Sequence, residues 1–247
     1  MNKSMILLAT SVLILVVSCA LLYAAWQLSV SKCAVVDREI LFQVSPFNTF
    51  AQGNYDGVIT YAELAEHGDF GIGTLSGLNG EMIALNGVFY QVPVCGVPRQ
   101  IGSREEAPYA TVTFFDADQT GYVDDAMNYS ELTTYISGML PSENAIYAIK
   151  VSGTYEYAKT RSVPLQEKPY PPLTEAVANQ TVFTLDNVDA TAVGFWFPSS
   201  MDGVDYAGYH LHLITDSYDA GGHLLECIVR NVTVEIDETR KFNLVLP

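Results

Sequence analysis

The sequence predicts a two-domain chain of the α/β (α+β) class, with a mixed β-sheet domain over 33–165 and a mainly antiparallel β-sheet domain over 173–247. Three observations predict it. Four prolines fall among the nine residues Pro164–Pro172, a density that excludes regular helix and central strand and marks a boundary. Beyond that boundary five β-type runs follow one another with no helical stretch between them, the pattern of an antiparallel sheet. Before it, short helical patterns interrupt strands and hairpins.

The elements follow in order. From Met5 to Leu28 there are 24 residues and no charge, enough for a helix to cross a hydrocarbon core. The run exceeds the roughly 7–15 apolar residues of a cleaved secretory signal, so residues 1–32 are expected to form an uncleaved signal anchor. In an alternative reading, Val16-Val17-Ser18-Cys19 resembles a lipobox, with Cys19 lipidated after cleavage. Both readings place the remainder outside the cytoplasm, membrane-anchored, or secreted if the segment is cleaved. Ile40–Val44 is an expected strand and Tyr61–His67 a short helix with Thr60 as N-cap. A glycine-rich passage leads to Met82–Leu85 and Val88–Val92, a hairpin turned by Asn86-Gly87. Ala110–Phe115 alternates as a strand, Ser130–Met139 has helical spacing with Ser130 as cap, and Ala145–Tyr157 returns to strand. The five runs after the prolines are Thr181–Leu185, Ala192–Phe197, Tyr209–Thr215, His223–Val229 and Val232–Ile236.

Twelve basic against 28 acidic side chains leave a net charge of −16, which repels phosphate backbones and excludes nucleic acid as a partner. The cysteines Cys19, Cys33, Cys95 and Cys227 form no C-x-x-C pair and do not look like a metal set. A single disulfide among Cys33, Cys95 and Cys227 is open in an oxidising compartment, with no pair selected.

The histidines carry the chemistry. Of four in the chain, three lie within fourteen residues: His210, His212 and His223. On a strand, i and i+2 share a face. The turn Asp216–Gly222 then returns the chain so that His223 opens the facing strand. Three imidazoles with an open fourth position match a catalytic zinc site, although copper, nickel or iron also accept such ligands. Glu81, at a turn-to-strand junction, is a candidate ligand or proton donor. Arg161 is a candidate clamp for a substrate carboxylate. His67 stands at a helix end, where capping is the usual role.

Three separated passages together resemble the alpha-acetolactate decarboxylase family. The first runs from Glu63-Leu-Ala-Glu-His-Gly-Asp-Phe-Gly-Ile-Gly-Thr-Leu to Leu78-Asn-Gly-Glu81-Met and Gly87-Val-Phe-Tyr-Gln. The second is Lys159-Thr-Arg161-Ser-Val-Pro. The third is Gly208-Tyr-His210-Leu-His212-Leu with Gly221-Gly-His223. The resemblance implies a two-domain α/β homodimer that decarboxylates 2-acetolactate to acetoin and CO2, with Zn2+ on His210, His212 and His223. By the same resemblance Glu81 stands at the metal, Arg161 at the substrate and Thr74 near both. The family's further glutamate, from a C-terminal tail, has no counterpart up to Pro247. Two readings stand beside it: a membrane-anchored metal-binding protein without turnover, and a cupin-like metalloenzyme on another small keto or hydroxy acid.

Asn54–Glu63 and Asp116–Gly121 imitate parts of a calcium loop but lack its first and last ligands respectively, and are expected to be turns. Asn128-Tyr-Ser, Asn179-Gln-Thr and Asn231-Val-Thr are glycosylation sequons, with meaning only in a glycosylating host.

Overall fold

Alternating β-branched and aromatic residues punctuated by short turns dominate the chain, and its structure, a computed structural model, converts most of them into strand. The structure describes residues 16–23 and 38–247. Residues 16–23 form helix α1. No helix among the described residues is long and apolar enough to cross a membrane. Most of the expected span from Met5 to Leu28, and Cys33, lie outside the described residues.

From residue 38 the order is β1 (Ile40–Val44), α2 (Phe47–Ala51), β2 (Ile59–Thr60), α3 (Tyr61–Leu64), β3 (Phe70–Thr74), β4 (Glu81–Leu85), β5 (Val88–Val92), β6 (Arg99–Gln100), β7 (Glu106–Ala107) and β8 (Tyr109–Thr113). There follow β9 (Gln119–Val123), β10 (Met127–Asn128), α4 (Tyr129–Met139), β11 (Ile146–Ser162), α5 (Leu173–Ala176), β12 (Thr181–Phe197), β13 (Gly208–Thr215), β14 (Gly221–Thr239) and β15 (Lys241–Val245).

Local chemistry explains the short elements. Asn86 and Gly87 both take positive φ (53° and 77°), the requirement of the tight turn joining β4 to β5. Thr60 caps α3 in a reciprocal box with Glu63. The helix ends at Leu64, short of the expected His67, because Glu66 and His67 donate to carbonyls three residues back and tighten the last turn. The cap of α4 is Asn128, not Ser130: the Asn128 side chain accepts from the Glu131 N–H, and the Glu131 carboxylate accepts from that of Asn128.

Two sheets result. The first has the order β15-β1-β8-β3-β4-β5-β6 and is mixed, β1 and β15 being parallel. In the second, β10-β14-β11-β12-β13 is antiparallel, β9 adds to β14, and β14 also pairs with β13, so the ladder of β11 to β14 closes on itself. The expected antiparallel character holds, with fewer and longer strands. Two pairs of the five runs merge into β12 and β14, because Asn187 and Asn231, which look like turn residues, sit at positive φ (50° and 51°) inside strands. There they interrupt the ladder without reversing the chain.

The boundary expected at Pro164–Pro172 is corrected by the pairing. β11 before it and β12 after it are neighbours from Tyr147 opposite Trp196 to Ser162 opposite Thr181, and β15 returns to the first sheet. Residues 38–247 are one unit. Prolines end a strand in either case, and composition does not distinguish a linker from a crossover loop.

The core sits between the sheets. Leu41, Phe70, Ile72 and Ile83 from the first meet Ala148, Val193, Phe195 and Ile214 from the second. Each large side chain so buried contributes about 1.5–3 kcal/mol. A separate cluster fills the closed ladder, covered by Leu132 and Ile136 of α4.

Candidate metal centre and active site

Strand periodicity sets the first two ligands. His210 and His212 project from the same face of β13, and His212 lies directly opposite His223 on β14. Gly222, just before His223, has φ 131°, and a Cβ there would stand 2.5 Å from the carbonyl of Arg161. A side chain at that position would push the strands apart at the site. The three rings lie 5.0–5.3 Å apart, centroid to centroid. One nitrogen of each lies within 4.8 Å of the others.

Hydrogen bonding shows what these nitrogens are for. Nδ1 of His212 is 2.9 Å from the carbonyl of Met82 and donates to it, which leaves Nε2 as the bare acceptor. Nε2 of His212, Nδ1 of His210 and Nδ1 of His223 are buried without a hydrogen-bond partner. One such orphan costs about 1–3 kcal/mol, so three converging on one point require an occupant. Burial, reinforced by the Arg161 charge, pushes His210 down to about 3, and burial pushes His212 and His223 well below the usual imidazole value. The rings are neutral near pH 7, the protonation state a metal ion needs. Among the described residues they are the one group of three or more ligating side chains so placed. The donor set fits a metal ion.

The carboxylate comes from the other sheet. Glu81 opens β4 after the turn at Gly80 (φ 79°), where a Cβ would strike the Val92 carbonyl at 2.5 Å. The Thr74 hydroxyl donates to the Gly80 carbonyl at 2.6 Å. Thr74, expected near the site, therefore lines the cavity and pins the turn that delivers Glu81. One Glu81 oxygen accepts from Arg161 at 3.0 Å, and the other lies 3.5 Å from Nε2 of His212. Burial pushes Glu81 up to about 7, with Arg161 opposing. Arg161 is opposite His223 in the β11–β14 ladder.

These groups open on a cavity of about 440 Å³. The structure thus brings together all six residues singled out in the sequence. It adds an aromatic wall that sequence reasoning missed, including Phe47, Phe50, Tyr109, Tyr206 and Tyr209. These come from three distant stretches: Phe47 and Phe50 lie on α2, Tyr109 on β8, Tyr206 in the loop before β13 and Tyr209 on β13, so strand alternation was a signal for Tyr109 and Tyr209 alone. His67 is not part of the cavity lining; its ring stacks on Phe42 at 3.7 Å. The calcium-loop imitations are structural: Glu63 serves the α3 cap, Asp56 pairs with Lys168, and Asp118 accepts from the Glu238 N–H. Cys95 and Cys227 are free thiols.

Comparison with known proteins agrees with this geometry. Residues 41–247 match the alpha-acetolactate decarboxylase family. The alpha-acetolactate decarboxylase of Methanosarcina mazei is 46% identical over 209 residues, covering 85% of this chain and 73% of that protein. That of Bacillus subtilis is 39% identical over 207 residues, covering 84% and 81%. The crystal structure of the alpha-acetolactate decarboxylase from Bacillus subtilis strain 168 superposes with a TM-score of 0.83, over 84% of this chain and 89% of that one, at 39% identity. A Staphylococcus aureus protein of unknown function, described as similar to alpha-acetolactate decarboxylase, superposes with a TM-score of 0.82, over 84% and 89%, at 32% identity.

Proposed function

The chain belongs to the alpha-acetolactate decarboxylase family and is an acetolactate decarboxylase, and from that premise we propose that it converts 2-acetolactate to acetoin and CO2 with a zinc ion held by His210, His212 and His223. The observation that carries this reading is the convergence of three unpartnered imidazole nitrogens beside the Glu81–Arg161 pair.

In acetolactate the bond to the carboxylate breaks when the neighbouring ketone accepts the electron pair. A bound zinc supplies Lewis acidity at that ketone. Arg161 orients the departing carboxylate through its planar guanidinium. Glu81, a buried carboxyl group that titrates near neutrality, delivers the proton that replaces CO2. Thr74 holds the turn that aims Glu81.

The same reading includes a homodimer and a location outside the cytoplasm. The apolar run Met5–Leu28 and the exposed Val16, Val17, Leu21 and Leu22 of α1 support that location, as an anchor or as a lipid-bearing segment at Cys19.

The deciding experiment incubates the purified chain with racemic acetolactate and zinc and measures acetoin above the spontaneous rate, with His210→Ala as control. Zinc-dependent acetoin that disappears in the variant is expected. A folded, zinc-loaded chain that gives only the spontaneous rate overturns the reading and leaves a metal-binding protein.

A further inference from the structure

The loop leading into β13 carries a buried carboxylate that the chemistry above does not use. Asp205 is 1% exposed. Its Oδ1 accepts from the Tyr109 hydroxyl at 2.8 Å and from the Tyr206 N–H at 2.6 Å, and its Oδ2 accepts from the Thr111 hydroxyl at 2.9 Å. All three donors are neutral. A buried anion whose partners carry no charge is costly, so its presence calls for a reason in what those donors do.

Two of them belong to the cavity. Tyr109 and Tyr206 line it, and the Tyr206 ring meets His210 edge-on at 6.1 Å. Phe47 packs edgewise on both tyrosines, at 6.0 and 5.9 Å, and Phe50 stacks on Tyr109 at 4.8 Å. Tyr109 and Thr111 sit on β8 of the first sheet, whereas Tyr206 precedes the histidine strand of the second. One carboxylate therefore ties both sheets together at the site.

Holding the loop backbone does not require it. The Val204 carbonyl already accepts from the Gln43 side chain at 2.6 Å and from the Phe47 N–H at 2.8 Å, and the Gly203 carbonyl accepts from the Asn48 N–H at 3.0 Å. What Asp205 adds is the orientation of the Tyr109 ring through its hydroxyl, together with a fixed backbone at Tyr206. In a cavity of about 440 Å³, a small keto acid keeps one orientation only if the walls are fixed.

We propose that Asp205 is a positioning residue for decarboxylation: by accepting from the Tyr109 hydroxyl it fixes that ring, and by accepting from the Tyr206 N–H it fixes the backbone from which the Tyr206 ring projects, so that the aromatic wall beside the histidines sets substrate fit and the face of the reacting carbon that receives the proton. This rests on the decarboxylase reading and deepens it.

The test compares the zinc-loaded chain with Asp205→Asn, Asp205→Ala and Tyr109→Phe. It records KM, kcat, the enantiomeric composition of acetoin, bound zinc and melting temperature. The asparagine carbonyl still accepts from Tyr109 and Tyr206, so D205N is expected to stay within about threefold of wild type, whereas D205A and Y109F raise KM on the order of tenfold. Those two are also expected to erode enantiomeric purity at unchanged zinc stoichiometry. If D205A does not fold, Y109F, which loses one hydroxyl, decides. Folded, zinc-loaded D205A and Y109F with wild-type KM and product composition overturn the proposal. So does D205N impaired as deeply as D205A, since charge rather than acceptor geometry would then matter. A wild-type chain without turnover sinks the decarboxylase reading itself and the proposal with it.

Discussion

Glu81 pairs with Arg161 at 3.0 Å while its other oxygen lies 3.5 Å from the unpartnered Nε2 of His212, and the two sides of the carboxylate face different demands. For Arg161 it is a counterion; in the proposed reaction it is the proton source. Glu81→Gln keeps the shape and removes the proton, so kcat is expected to fall on the order of 10²–10⁴-fold, with zinc content unchanged by metal analysis. Asp205 gives a stability test. Its folded pKa is raised by burial from 3.8 to about 6, so the folded chain holds this proton more tightly than the unfolded one. The stabilisation is full below pH 3.8 and is lost as pH rises through about 6. Asp205→Asn is expected to remove that loss. Unfolding free energies from urea titrations between pH 4 and 6.5 should fall less steeply in the variant, by roughly 2 kcal/mol across that window. Identical slopes would contradict it. His210 and His212 were legible in the sequence because a period of two needs no tertiary information, whereas Asp205 was not, because its donors lie almost a hundred residues away.

Among elements, β12 does the most to seat the site. Phe195, fully buried near the end of β12, is opposite His210 in the β12–β13 ladder and edge-on to Phe70 of the first sheet at 6.1 Å. Phe195→Ala is expected to cost about 3–5 kcal/mol in denaturant unfolding and to loosen zinc binding, because the cavity opens directly behind the ligand strand. A loss below about 1 kcal/mol would mean the sheets repack freely there. Hairpin β4–β5 and the α3 cap could be read from Asn86-Gly87 and from Thr60 with Glu63, since their causes are local. The length of β12 and β14 could not, because only a paired neighbour reveals whether Asn187 and Asn231 bend a strand or end it.

At the scale of the molecule, a metal ion held by the three histidines of the second sheet would sit beside the Glu81 carboxylate of the first, so it should act as a staple. Zinc present at about a thousandfold over its dissociation constant adds about 4 kcal/mol to stability. Chelation is expected to lower the melting temperature reversibly, and zinc to restore it. The His212→Ala chain should show no such response. A wild-type melting temperature indifferent to chelator would remove the staple. The net charge of −16 works against compactness at low ionic strength, which makes that contribution easier to measure there.

The sequence by itself determined the β-rich class, the local turns and caps, the family, and six candidate residues that the fold brings to one cavity, because each depends on spacing along the chain or on motif. Tertiary structure alone decided that Pro164–Pro172 joins neighbouring strands, that β15 returns to pair with β1, and that Tyr109, Asp205 and Tyr206 form one wall. Those facts rest on hydrogen bonds and ring contacts between residues far apart in sequence. Such pairings follow from how two buried faces meet and are not encoded in any local pattern.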